Sequence, residues 1–162
     1  MQKLIINIGI SVVVILVAGI GSFFGTRAWV DYETRKVEDA WRMSQVTQIH
    51  AGLVGYYKDH AAYPSSNGET IILGGLDSAC LTADGFVSPV SHACKKQAYL
   101  PHIEAGLGKT SQDVFTYRSL AQDDASPCQT KTPCPSYAIR FYLATGSMLP
   151  GGVHTLTPKS LK

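Results

Sequence analysis

Residues 4 to 26 carry no charged side chain and read LIINIGISVVVILVAGIGSFFGT, whereas the remainder mixes apolar and polar positions as a soluble domain does. As a helix this run would extend roughly 34 Å, enough to cross a hydrocarbon core of about 30 Å. A cleaved secretory leader is the rival reading. Such leaders hold about 7 to 15 apolar residues before a small-residue cleavage site. This run is longer and continues into Phe23, Phe24, Arg27 and Trp29. The pattern predicts a retained transmembrane anchor over 1–27, with Trp29 and Tyr32 at the lipid–water boundary.

Residues 28–61 contain no proline, and their only glycines are Gly52 and Gly55. The anchor is therefore expected to continue into water as one helix ending at about residue 61, about 58 residues and about 87 Å in all. Its soluble half is uneven. Between Arg27 and Met43 the apolar residues form no stripe, so this stretch is expected to stay solvated or to meet other subunits. From Val46 on, Val46, Ile49, Leu53, Tyr56 and Tyr57 recur at spacings of three and four and predict a face packed on the domain. Gly52 and Gly55 weaken the helix by about 1 kcal/mol each against alanine, or allow close approach by a sheet.

The Ala62–Tyr63–Pro64 step ends the helix, because the residue before proline avoids the α region. Residues 65–113 lack periodicity and are expected to form an irregular loop region, with a short helix near Tyr99 to Gly106. Residues 114–120, 137–143 and 152–157 alternate in the manner of strands and place an antiparallel sheet within 114–158. The connection from Ala121 to Ser136 holds Cys128, Cys134 and three prolines, and reads as a stapled hairpin loop. The fold class expected is α+β: a long N-terminal helix packed on a small antiparallel sheet of about three strands.

Charge and cysteine content narrow the setting. The formal charge of +2 is small and its basic residues are scattered, so no nucleic-acid surface is predicted. Cys80, Cys94, Cys128 and Cys134 all lie in 28–162, an extracytoplasmic domain on this reading, and an even count in a loop-rich domain points to disulfides and an oxidising compartment. Three connectivities are open. Cys80–Cys94 and Cys128–Cys134 are the cheapest closures.

The stretch Trp41 to Ser66, WRMSQVTQIHAGLVGYYKDHAAYPSS, carries an aliphatic helix face, a tyrosine, an aspartate and a terminal Tyr-Pro at Ile49, Leu53, Tyr57, Asp59, Tyr63 and Pro64. In that order, behind an N-terminal anchor, these residues resemble the type IV pilin and type II secretion pseudopilin superfamily. The closing run CPSYAIRFYLATGSMLPGGVHTLTP is similar to the last strands of small pilin-like proteins. The resemblance implies a structural subunit whose anchors pack side by side in a pilus or pseudopilus filament with other pilin-like subunits, at the cell membrane with the domain outside the cytoplasm. Helix-to-sheet packing would fall to Val46, Ile49, Leu53, Tyr57, Tyr63 and Pro64. Assembly would fall to Trp41 and Met43 on the unstriped rod and to Gly19, Gly21 and Gly25, of which Gly21 and Gly25 form a GxxxG pattern. One departure is plain. The family's leader ends in glycine and its mature chain carries an early glutamate, yet no acidic residue precedes Asp31 and the candidate leader before Gly9 holds one basic residue. A minor or membrane-retained relative is implied.

Enzymatic chemistry finds no foothold. The cysteines lack a CxxC pair, His50, His60, His92, His102 and His154 lack metal spacing, and no GxSxG elbow occurs in the soluble part. Asp123 and Asp124 could serve a calcium loop, but adjacent acids in a turn are ordinarily solvated. No metal, cofactor or catalytic residue is predicted. The alternative function is a monomeric, membrane-anchored binding module with a pilin-like fold.

Overall fold

The computed structural model describes residues 26–91, 94–95, 98–105, 114–129, 133–146 and 149–161 in full, and over 2–25 the helical backbone alone. Helix α1 runs from Gln2 to His60. The chain divides into two compact units, 1–38 and 39–162, so the unit boundary falls inside the helix.

In the first unit the described side chains, 26–38, belong to a helix without a buried stripe. Lys36 Nζ donates to Glu33 Oε1 at 3.0 Å and lies 4.6 Å from the Tyr32 ring centre. That hydrogen bond, with the nearby negative charge, raises the Lys36 ammonium above its ordinary value despite the opposing effect of burial.

In the second unit the helix ends as its sequence dictates. Ala61 turns into the left-handed region at φ 53°, its N–H donating to Tyr57 O at 2.8 Å, and Pro64 prevents continuation. Lys58 occupies the last turn, where its positive charge meets the exposed carbonyls.

Seven strands follow among the described residues: β1 Ile71–Ile72, β2 Cys80–Thr82, β3 Gly85–Val87, β4 Ala98–Leu100, β5 Thr116–Leu120, β6 Ser136–Leu143 and β7 Gly152–Leu156. They build two antiparallel sheets, one ordered β1-β5-β6-β7 and one ordered β3-β2-β4. The expected α+β architecture, a helix packed on antiparallel sheet, is present. The expected strand total is too low, and the supposed loop region 65–113 contains the whole second sheet together with β1. These strands have only two or three residues each, too few to show alternation. Residues 98–100 form a strand and 101–105 are not helical, which corrects the helix expected near Tyr99; Gly106 lies outside the described residues.

The core joins helix and both sheets. Val46, Ile49 and Leu53 share one buried core with Leu81 and Leu100 of the second sheet, with Tyr117, Tyr137, Ile139 and Phe141 of the first, and with Phe115 just before β5. The glycines act by close approach. A Cβ on Gly52 would stand 3.1 Å from Leu100 Cβ, and one on Gly55 would stand 3.2 Å from the Tyr99 ring, so β4 lies against the helix backbone.

The chain after the helix is strapped to β5 and β6. Tyr63 N donates to Cys134 O at 2.8 Å. Tyr117 Oη donates to Pro64 O at 2.7 Å, and the Ser66 and Ser119 hydroxyls each accept from the other residue's N–H, at 3.1 and 2.9 Å. These bonds partner the buried Ser66 and Ser119 hydroxyls and the Tyr117 phenol.

Both local disulfides form, Cys80–Cys94 and Cys128–Cys134, which selects one of the three connectivities, and no described cysteine is free. Their sequence separations are 14 and 6. Chain-entropy arguments assign about 3 kcal/mol to a loop the size of the first and less to the second. Replacing Cys80 and Cys94 together by alanine should therefore lower the denaturant-unfolding free energy more than replacing Cys128 and Cys134, and a native free-thiol titration should find no reactive cysteine.

Candidate functional site

Three features of the helix and its surroundings concentrate the chemistry of the chain. The first is the helix stretch 26–38, where Trp29 is 65% exposed, Val30 53%, Tyr32 47% and Val37 70%. Large apolar side chains in water mark a surface that lowers its free energy by meeting lipid or protein.

The second feature is a polar clamp at the start of the domain. Asp39 and Arg42, one helical turn apart, are 1% and 4% exposed. Arg42 Nη1 donates to Asp39 Oδ1 at 2.8 Å. The same carboxylate accepts from Ala144 N at 2.9 Å, Thr145 N at 2.7 Å and Thr145 Oγ1 at 2.7 Å. It thus caps the chain leaving β6. Burial alone would raise the Asp39 carboxyl, but the hydrogen bonds from Ala144, Thr145 and Arg42 outweigh it and hold the group below the ordinary carboxylate range.

The third feature is an aromatic and acidic rim at the far end of the helix. Tyr99 of β4 donates its phenol to Asp59 Oδ2 at 2.6 Å. The rings of Tyr56 and His60 stack at 4.2 Å, and Tyr99 meets Tyr56 edge-on at 5.5 Å. Beside them Asp59, Ala83, Ala98 and Tyr99 line an open depression of about 320 Å³. The hydrogen bond to Asp59, followed by burial, pushes the Tyr99 phenol up to about 12.

Of the residues singled out from sequence, Val46, Ile49, Leu53 and Tyr63 are buried in the core, and Pro64 is buried beside Tyr63. Tyr57 departs from its expected role. It is 40% exposed and its ring meets Tyr63 at 4.7 Å, because the chain folds back at Ala61 and sets Tyr63 between Tyr57 and the sheet. Trp41 and Met43 are not on a solvated rod: both pack against the domain's own core, and Trp41 Nε1 donates to Glu104 at 3.1 Å while its ring meets Phe115 at 5.9 Å. The rod ends earlier than the missing stripe suggested, since the docking face from Asp39 to Gln45 uses buried polar groups. The side chains of 4–25, with Gly9, Gly19, Gly21 and Gly25, lie outside the described residues. Among the described residues no helix is long and apolar enough to cross a membrane.

The calcium reading of Asp123 and Asp124 has no support. Asp123 is occupied by Ala125 N, Ser126 N and the Ser126 hydroxyl, and Asp124 by Lys159 Nζ at 2.8 Å. Among the described residues no group of three metal-ligating side chains assembles. Sequence reasoning missed Asp39, Arg42, Thr145 and Tyr99. A charged pair at a three-residue spacing was the only available signal for the clamp, and such pairs are ordinarily solvated.

Breaking the clamp on one side leaves a buried, uncompensated charge. Asp39→Ala should destabilise the protein by about 3 to 5 kcal/mol in chemical unfolding, and replacing Asp39 and Arg42 together by apolar residues should cost less. Because the folded Asp39 carboxyl is depressed, its contribution is complete above the ordinary carboxylate range. It is lost as pH falls through the depressed value, so weakening should set in below about pH 4.

Tyr99 has the opposite sign. Its contribution is complete below the ordinary phenol value of about 10 and fades as pH rises through about 12. Tyrosinate absorbance should show this phenol titrating late, and Asp59→Asn should bring it back toward the ordinary value.

No family model, curated protein or solved structure matches the chain.

Proposed function

We propose that this chain is a structural subunit of a type IV pilus or pseudopilus-like filament, held in the membrane by its apolar N-terminal run and assembling through its long helix with other pilin-like subunits outside the cytoplasm. The observation that carries the reading is the exposure of Trp29, Val30, Tyr32 and Val37 on a helix that continues from an uncharged run of 23 residues. A helix that displays apolar groups before it enters its own domain is suited to lateral packing between neighbouring subunits, with Trp29 and Tyr32 also suited to a membrane boundary. The disulfides support an oxidising, extracytoplasmic setting. The pilin likeness of Trp41 to Ser66 supports the same reading, with Ile49, Leu53 and Tyr63 turned inward.

A second reading, a membrane-anchored binding module acting as a monomer, is favoured by the aromatic and acidic depression at Asp59 and Tyr99. Aromatic faces beside a carboxylate suit a small polar or cationic ligand.

The two readings part on assembly. In cells expressing the full chain, sheared surface filaments should contain it. Val37→Asp and Trp29→Ala should each lower that recovery by about tenfold or more, as expected from losing about 1.5 to 3 kcal/mol of apolar burial per side chain, without changing the domain's unfolding transition. Recovery only from membranes, with both variants behaving as the parent, would transfer the assignment to the binding module.

A further inference from the structure

We infer that Asn67–Gly68 is a site of spontaneous backbone modification, at which the asparagine cyclises and reopens as aspartate and isoaspartate. The two residues are the centre of a tight turn closed by Glu69 N donating to Ser66 O at 2.9 Å. Both lie at positive φ, 55° and 80°, the mirror-image turn class that Asn-Gly favours. Asn67 is exposed to water. Among the described residues the Gly68 N–H donates to no acceptor, whereas the Gly68 carbonyl accepts from Arg118 Nη2 at 3.1 Å.

The chemistry needs water and no other reagent. The Gly68 amide nitrogen, losing its proton to solvent base, attacks Asn67 Cγ. The N–Cγ bond forms, the Cγ–Nδ2 bond breaks, and ammonia leaves with the proton returned by solvent, giving a five-membered imide. Water then opens either carbonyl. One opening gives aspartate; the other gives isoaspartate, with the main chain routed through Cβ and Cγ and lengthened by one carbon. The sum is asparagine plus water going to the acid plus ammonia.

Local features favour this site. Glycine at the attacking position offers no Cβ to obstruct ring closure. Ser65 Oγ donates to Asn67 Oδ1 at 3.2 Å, so a donor stands where negative charge develops during the attack. Ring closure requires Asn67 to leave its left-handed conformation. That is a local opening at an exposed turn, well below the cost of global unfolding. The Arg118 guanidinium holds the Gly68 carbonyl at 3.1 Å, one residue along the chain from the new carboxylate. The isomerised turn would also lengthen the strap that Ser66 and Ser119 hold against β5.

The chain has only two asparagines, Asn7 and Asn67, which makes the test direct. Folded full-length protein, in detergent, is incubated at mildly acidic and mildly alkaline pH and followed by peptide mass mapping and enzymatic isoaspartate labelling. The expected result is a gain of about 1 Da confined to the peptide holding Asn67, with isoaspartate in the product and faster conversion at alkaline pH. Ser65→Ala should slow conversion several-fold while leaving the unfolding transition in place, and Asn67→Gln should abolish it. Conversion in denaturant but none in the folded chain would overturn the proposal, because the turn would then protect Asn67. An unchanged rate in Ser65→Ala would overturn the part assigned to the Ser65 hydroxyl.

Discussion

A carboxylate withdrawn from water is the constraint around which the domain is organised. Asp39 gives up solvent on being buried, and only a full set of donors makes that tolerable: a guanidinium from its own helix, and two N–H groups and a hydroxyl from the chain leaving β6. Satisfying it fixes the register between the helix and the long strand of the main sheet. In the same arrangement Val46, Ile49 and Leu53 share one buried core with Tyr137, Ile139 and the second sheet's Leu81 and Leu100. The apolar core provides the bulk of the stabilisation, while the clamp ties the helix at Asp39 to the chain leaving β6.

From this anchor point an aromatic series follows the helix end into the core. Tyr57 meets Tyr63, Tyr63 meets Tyr137, Tyr137 meets Tyr117 and Tyr117 meets Phe86, with ring centres 4.7, 4.7, 6.0 and 4.8 Å apart. His50 reaches the Tyr137 hydroxyl and Pro64 O receives that of Tyr117, so the polar ends of these two buried phenols are partnered. Burial raises both phenols, Tyr117 and Tyr137, well above their ordinary range, so they stay neutral hydrogen-bonding groups. The Tyr-Pro step after the helix therefore does more than stop it. Tyr63 closes the core, and its backbone joins the Cys128–Cys134 loop.

The parts of this fold that were legible in the sequence are those with repeated, local signals. Alternation marked β5, β6 and β7, the three-and-four spacing marked Val46, Ile49 and Leu53, and short separation marked both disulfides. The second sheet escaped because strands of three residues carry no period, and its place in the fold depends on the helix backbone left open at Gly52 and Gly55. Asp39 and Arg42 escaped for a different reason. Charge at helical spacing looks the same in sequence whether water or Thr145 receives it. The exposure of Trp29 and Tyr32 agrees with the missing apolar stripe in the helix before Asp39. The rim at Asp59 and Tyr99 was not, since its members are 40 residues apart and meet only through a tertiary hydrogen bond.

The tie between Asp39 and the chain leaving β6 gives the clamp a mechanical meaning. A load that would part the helix from the sheet is borne at Asp39, where the hydrogen bonds from Ala144 and Thr145 tie the helix directly to the end of β6. That strand is central in its sheet, paired along its length with β5 and β7, so the load spreads into two ladders of antiparallel bonds. Several bonds must then yield together. Within the domain, a helix secured in this way is not released from its sheet by the loss of any one of these bonds.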